Sequence, residues 1–107
     1  MEHICEAEMK HLLDERLASR SFQDKAVFLF GHCNATESIA DYLFEHGVRA
    51  AAILDNSKSK QEQSYRDIPI LLPTHIKGFS ASNSIVLIAN RFFSEMSTQL
   101  RSLGYDG

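Results

Sequence analysis

Residues 27–43, VFLFGHCNATESIADYL, decide how this chain is read. Four apolar residues, Val27 to Phe30, run without polar alternation, as a parallel strand covered on both faces would. Gly31 breaks the run. Ile39, Leu43 and Phe44 then recur at helical spacing. Strand, tight turn and helix make the first half of a βαβ unit. When such a unit opens a parallel sheet, its turn is the usual seat of a phosphate or nucleotide. Asn34 is expected to cap the helix, with Glu37 three residues later completing a capping-box pair.

The same pattern extends outward from this stretch. The first strand covers about 26–30 and its helix about 35–46, with Gly47 as the left-handed residue that ends it. A second strand follows, from Val48 through Ala50-Ala51-Ala52-Ile53-Leu54, and closes at Asp55-Asn56. Residues 56–67 are polar and read as a flexible loop. Ile68-Pro69-Ile70-Leu71-Leu72 is a third strand, which proline limits to a short or edge position. A short helical turn runs from Pro73 to near Gly78. Residues 80–84 are loop, and Ile85-Val86-Leu87-Ile88-Ala89 is a buried fourth strand. Asn90 is placed to cap a last helix carrying Phe92, Phe93, Met96, Leu100 and Leu103, closed by Gly104. Upstream, residues 2–20 read as one helix with a narrow apolar stripe of Ile4, Leu12, Leu13 and Leu17.

The order α-β-α-β-β-α-β-α argues for an α/β domain. Right-handed crossovers give a strand order of 3-2-1-4 with the first strand central. A chain of 107 residues is one domain. Its net charge is −3 and its basic residues are scattered, which speaks against nucleic acid as a partner. No apolar run is long enough to span a membrane. The N-terminus, MEHICEAEMK, lacks a signal-peptide core, so a cytoplasmic location is expected. The two cysteines, Cys5 and Cys33, are expected as free thiols.

The series FLFGHCNATESIADYL, AAILDNSKSK, YRDIPILLP, IVLIAN and LRSLGYDG resembles a known family. It is similar to the small Rossmann-like nucleotide-binding module of bacterial surface-polysaccharide proteins. That module accompanies nucleotide-sugar dehydratases and epimerases, sugar methyltransferases and acyltransferases, and glycosyl- and glycerophosphotransferases. The resemblance spans about residues 25–105. It implies an α/β, Rossmann-like three-layer domain with a mainly parallel sheet in the order 3-2-1-4; the extra N-terminal helix, read from the residues, lies outside it. The expected organisation is a helix at 1–20 and a module at 21–107 excised from a longer protein, since another strand usually follows the last helix of a doubly wound fold. The resemblance also implies a cytoplasmic, non-catalytic role in binding a nucleotide or nucleotide-sugar for a transferase that builds capsule or other cell-envelope polysaccharide. NAD(P) is the less favoured ligand.

The sequence departs from the family at the turn. The family's turn resembles G-x-G-N-x-G; here Gly31 and Asn34 match, but Cys33 and Thr36 replace the second and third glycines. The second glycine lets backbone approach a pyrophosphate, and the third allows close helix–strand packing.

The resulting candidate binding set is Gly31, His32, Cys33, Asn34, Asp55, Asn56 and Asn90. Gly31 to Asn34 would cradle an anion on backbone amides, or form a plain βα turn. Asp55, 24 residues after Gly31, either grips a ribose hydroxyl or closes an Asx turn with Asn56. Lys58 and Lys60 either reach a phosphate or are solvated. Asn90 and Arg91 either meet the ligand or serve as cap and surface residue. Cys33 beside His32 suggests a thiol nucleophile and base, but no third group is seen to orient His32. His3, Cys5, His32 and Cys33 match no common zinc spacing, so no metal site is assigned. His46 and His75 read as surface residues. The leading helix is the expected contact with another domain or a second copy. Two other readings stand beside the first: an NAD(P)-dependent dehydrogenase or epimerase module, and a ligand-free assembly domain.

Overall fold

An apolar strand without polar alternation is stable only where both faces of its sheet are covered. The computed structural model, which describes residues 2–4, 8–80, 82–89 and 92–105, shows that arrangement. In chain order the elements are β1 (Glu2–His3), α1 (Met9–Ala18), β2 (Ala26–Phe30), α2 (Asn34–Glu45), β3 (Ala52–Leu54), β4 (Ser64–Tyr65), β5 (Ile68–Leu71), β6 (Ser84–Ile88) and α3 (Phe93–Ser102). Short 3-10 turns lie at Lys58–Lys60 and Pro73–Ile76.

Among the described residues the strands form one mixed sheet in the order β1-β6-β2-β3-β5-β4. The pairs β1/β6, β6/β2, β2/β3 and β3/β5 are parallel, and β4/β5 is antiparallel. Alternation along β2 explains the layering. Val27 and Leu29 enter one core with Ile53, Ile70 and Leu87, packed against Leu13 of α1 and Ile39 and Leu43 of α2. Phe28 and Phe30 enter the other with Leu54, Val86 and Ile88, packed against Ile76, Leu100 and Tyr105. The chain moves from β2 to β3 over the first face and from β5 back to β6 past the second. A single crossover hand requires that opposite directions use opposite faces. The Cα radius of gyration, 12.6 Å, is that of one compact domain of this length.

Two sequence expectations are corrected. Residues 2–20 are not one helix. Glu2 and His3 pair with Leu87 and Ile88, and the Ile4 amide donates to the Ile88 carbonyl at 2.8 Å. Pairing with the free edge of β6 satisfies backbone groups that a helix would leave stranded there. The following helix, α1, lays Leu13 into the chain's own core, flanked by Met9, Leu12 and Leu17. Leu13 is thus buried inside the domain, while Met9, Leu12 and Leu17 remain partly exposed.

Residues 56–67 are not a featureless loop. They hold the 3-10 turn and β4, which pairs Ser64 with Pro69 and Tyr65 with Ile68. Two residues, Arg66 and Asp67, close this hairpin, both at positive φ (50° and 67°). That is the signature of a type I′ turn, written without its usual Asn-Gly. The third strand, β5, is short as Pro69 led one to expect, and β4 pairs along its outer side.

The predicted second strand is also shorter than expected, three residues, while the helix ends hold. Gly47 and Gly104 have φ of 83° and 96°, as left-handed residues closing helices do. No helix among the described residues is long and apolar enough to cross a membrane.

Candidate functional site at the carboxyl ends of β2 and β3

Gly31 follows β2 with φ 87°, a conformation that other residues adopt only with strain. Its amide donates to the Leu54 carbonyl at 2.7 Å, which binds the turn to the end of β3. The helix starts one residue earlier than expected. Cys33 is the N-cap, in extended conformation, and Asn34 is already helical. No side chain caps this end of α2, so the expected Asn34–Glu37 capping box does not form. The reason lies in Glu37, whose Oε2 is 2.8 Å from His32 Nε2 instead.

Cys33 and Thr36, the two replacements for glycine, act together. Thr36 is buried, and its hydroxyl donates to the Gly31 carbonyl at 2.5 Å. With that proton committed, Thr36 Oγ1 is the acceptor for the Cys33 thiol, 3.3 Å away. The turn is therefore closed by a chain from thiol to hydroxyl to carbonyl. The thiol faces Thr36, so the pairing of Cys33 with His32 as nucleophile and base is not assembled.

His32 is the most heavily engaged residue of the turn. Its amide donates to Asp55 Oδ2 at 2.8 Å. Lys60 Nζ lies 3.3 Å from both His32 Nδ1 and the His32 carbonyl oxygen. An ammonium has no lone pair, so Lys60 donates to Nδ1, and the ring proton sits on Nε2 toward Glu37. The result is a relay from Lys60 through His32 to Glu37. The His32 and Glu37 side chains are 19% and 32% exposed, so the relay is partly shielded from water. Two groups thus orient His32, where the sequence showed none. Just beyond, Tyr65 donates to both Asp41 oxygens, at 2.9 and 3.0 Å, and Arg66 Nε is 3.1 Å from Asp41 Oδ1. The hairpin is thereby fastened to α2, with the Tyr65 ring 6.4 Å from that of His32.

Asp55 is occupied by its own chain. Oδ2 accepts from His32, and Oδ1 accepts from the Ser57 amide at 2.8 Å, an Asx turn. Asn56 points to α3 rather than to the turn, exchanging two hydrogen bonds with Gln99 at 2.9 and 2.7 Å. Gln61 Nε2 closes the loop on the carbonyls of Asp55 and Ser57. Structure therefore gathers Gly31, His32, Cys33, Asn34 and Asp55, and draws Asn56 away. Asn90, with Arg91, lies outside the described residues.

Lys60 and Glu37 are the residues that sequence spacing undervalued. Lys60 stood in a polar tract with no periodic signal, and only the 3-10 turn carries it back over Gly31-His32. Glu37 stood where a capping residue belongs. Among the described residues no group of three or more His, Cys, Asp or Glu side chains could hold a metal ion.

Chemically, the site joins an uncapped helix N-terminus, a positively charged side chain and a turn whose geometry is fixed by Asp55. Orphan amides and a helix dipole favour an anion there. No protein-family model, curated protein or solved structure matches the chain.

Proposed function

We propose that this domain is a Rossmann-like module that binds the phosphate of a nucleotide or nucleotide-sugar at the turn after β2. On that reading it serves a larger enzyme of bacterial surface-polysaccharide synthesis without catalysing the reaction itself. The observation that carries the site is Lys60, held over the turn beside the uncapped start of α2. An ammonium beside free helix amides is complementary to phosphate. The strand order and the parallel pairing of β6, β2, β3 and β5 support the Rossmann-like classification, since α/β sheets of this kind bind ligands beyond the carboxyl ends of their strands. The polysaccharide context rests on the sequence resemblance.

Two observations weigh against an NAD(P)-dependent dehydrogenase or epimerase. Cys33 fills the position of the second glycine, and both Asp55 oxygens already accept backbone amides. Calorimetric titration with NAD(H), a UDP-sugar and a CDP-alditol separates the readings. Binding of a nucleotide-sugar or alditol, weakened about tenfold in Lys60→Ala by loss of one charge-assisted contact, is the expected result. Binding of NAD(H) alone would favour the dehydrogenase module. No binding by any of the three, with a stable dimer in solution, would favour assembly.

A further inference from the structure

A second concavity, of about 470 Å³, lies at the other end of the sheet, before β2 and β3 begin. Arg20, Lys25, His46 and Arg49 line it, together with buried Phe22 and half-buried Val48. Among the described residues no carboxylate lines it, although the whole chain carries 14 acidic residues against 11 basic ones. Neither Arg20 nor Lys25 has a carboxylate partner among the described residues. These cations give one end of an acidic protein a local positive field, which concentrates anions there.

The surrounding structure holds two of these side chains, Arg49 and His46. Arg49 donates from Nη2 to the Asp67 carbonyl at 2.9 Å, which holds the guanidinium and leaves its other N–H groups for a ligand. His46 Nδ1 donates to the Tyr42 carbonyl at 2.8 Å, and its ring lies 4.4 Å from that of Tyr42. Arg20 sits at φ 58°, with its amide bonded to the Leu17 carbonyl at 3.1 Å. A left-handed arginine is a costly conformation, and here it brings a cation to the rim of the concavity.

We infer that this concavity is a second ligand site, which takes a phosphorylated small molecule with an apolar portion. Arg20, Lys25 and Arg49 bind the phosphate, and half-buried Leu17 and Val48, over the rim of Phe22, meet the apolar part. The inference is independent of the nucleotide reading, because the two sites lie at opposite ends of the strands.

Amide NMR titrations of the full chain test it, with inorganic phosphate and phenyl phosphate as probes. The expected result is saturable shifts at Arg20, Phe22, Lys25, Val48 and Arg49. Phenyl phosphate should bind about tenfold tighter than inorganic phosphate, through its buried ring. Reversing two exposed charges, Lys25→Glu with Arg49→Glu, should weaken phenyl phosphate binding by at least about tenfold. Unchanged amide shifts at Leu29 and Leu54 would show that the variant is folded. Shifts that never saturate, shifts confined to Gly31–Asn34, or an unaltered affinity in the charge-reversed variant would overturn the site. Equal affinity for the two probes would overturn the apolar contact.

Discussion

Asp55 joins the two loops of the candidate site through one carboxylate, with His32 on one oxygen and Ser57 on the other. Removing it leaves two amides without acceptors. Hydrogen bonds to a charged group contribute about 1.5–3 kcal/mol, so Asp55→Ala is expected to cost about 2–3 kcal/mol in urea unfolding, and Asp55→Asn about half as much. A cost near zero would mean that water replaces the carboxylate without loss. Tyr65 offers a pH-dependent reading of the same region. Its hydrogen bond to Asp41, then burial, then the Asp41 charge, raise its pKa above the ordinary tyrosine value. A folded-state pKa raised in this way stabilises fully below the unfolded value of about 10, and the contribution fades as pH climbs through the folded value. The stability advantage of the native chain over Tyr65→Phe should therefore hold up to about pH 10 and shrink above it. Tyr42, raised chiefly by its hydrogen bond to Asp14, is common to both proteins and cancels.

At the scale of elements, the β4–β5 hairpin is held by tertiary contacts more than by its turn. Arg66 and Asp67 both occupy left-handed conformations without being glycine. Asp67→Gly removes a conformational cost of about 1–2 kcal/mol and adds unfolded-chain entropy of about 0.5–1 kcal/mol, so a net gain of about 0.5–1 kcal/mol is expected as a higher Tm. The Asp67 carbonyl that holds Arg49 is kept by glycine. This hairpin also marks the limit of sequence reading. β2, α2, β6 and α3 were legible because their apolar spacing and closing glycines agree with one another. β1 and β4 were not, because neither carries a local apolar pattern. Each exists only because a neighbouring strand leaves backbone groups to be paired. Of the apolar stripe read over residues 2–20, only Ile4 lies before α1, and its amide pairs with β6 instead.

Across the whole molecule, the sheet separates two ends of different chemistry. The carboxyl ends of β2 and β3 carry the Gly31 turn with Lys60, and their amino ends carry Arg20, Lys25 and Arg49. The meeting of the Gly31 turn with Asp55 was legible, since a turn glycine and an acid at the next strand's end come together when those strands are neighbours. The wiring of the site was not. That Asp55 would accept from two amides of its own chain, that Thr36 would close the turn, and that Lys60 would return to His32 depend on loop paths that spacing does not encode. The pairing of Asn56 with Gln99 of α3 is likewise invisible to spacing, since the two are 43 residues apart. The most direct test of the proposed function is the location of a bound nucleotide-sugar. In an amide NMR titration with a UDP-sugar or a CDP-alditol, saturable shifts are expected at Gly31, Cys33, Asn34 and Ala35, and these should be lost or much weakened in Lys60→Ala. Absence of shifts at this turn, or the same shifts undiminished in Lys60→Ala, would contradict it.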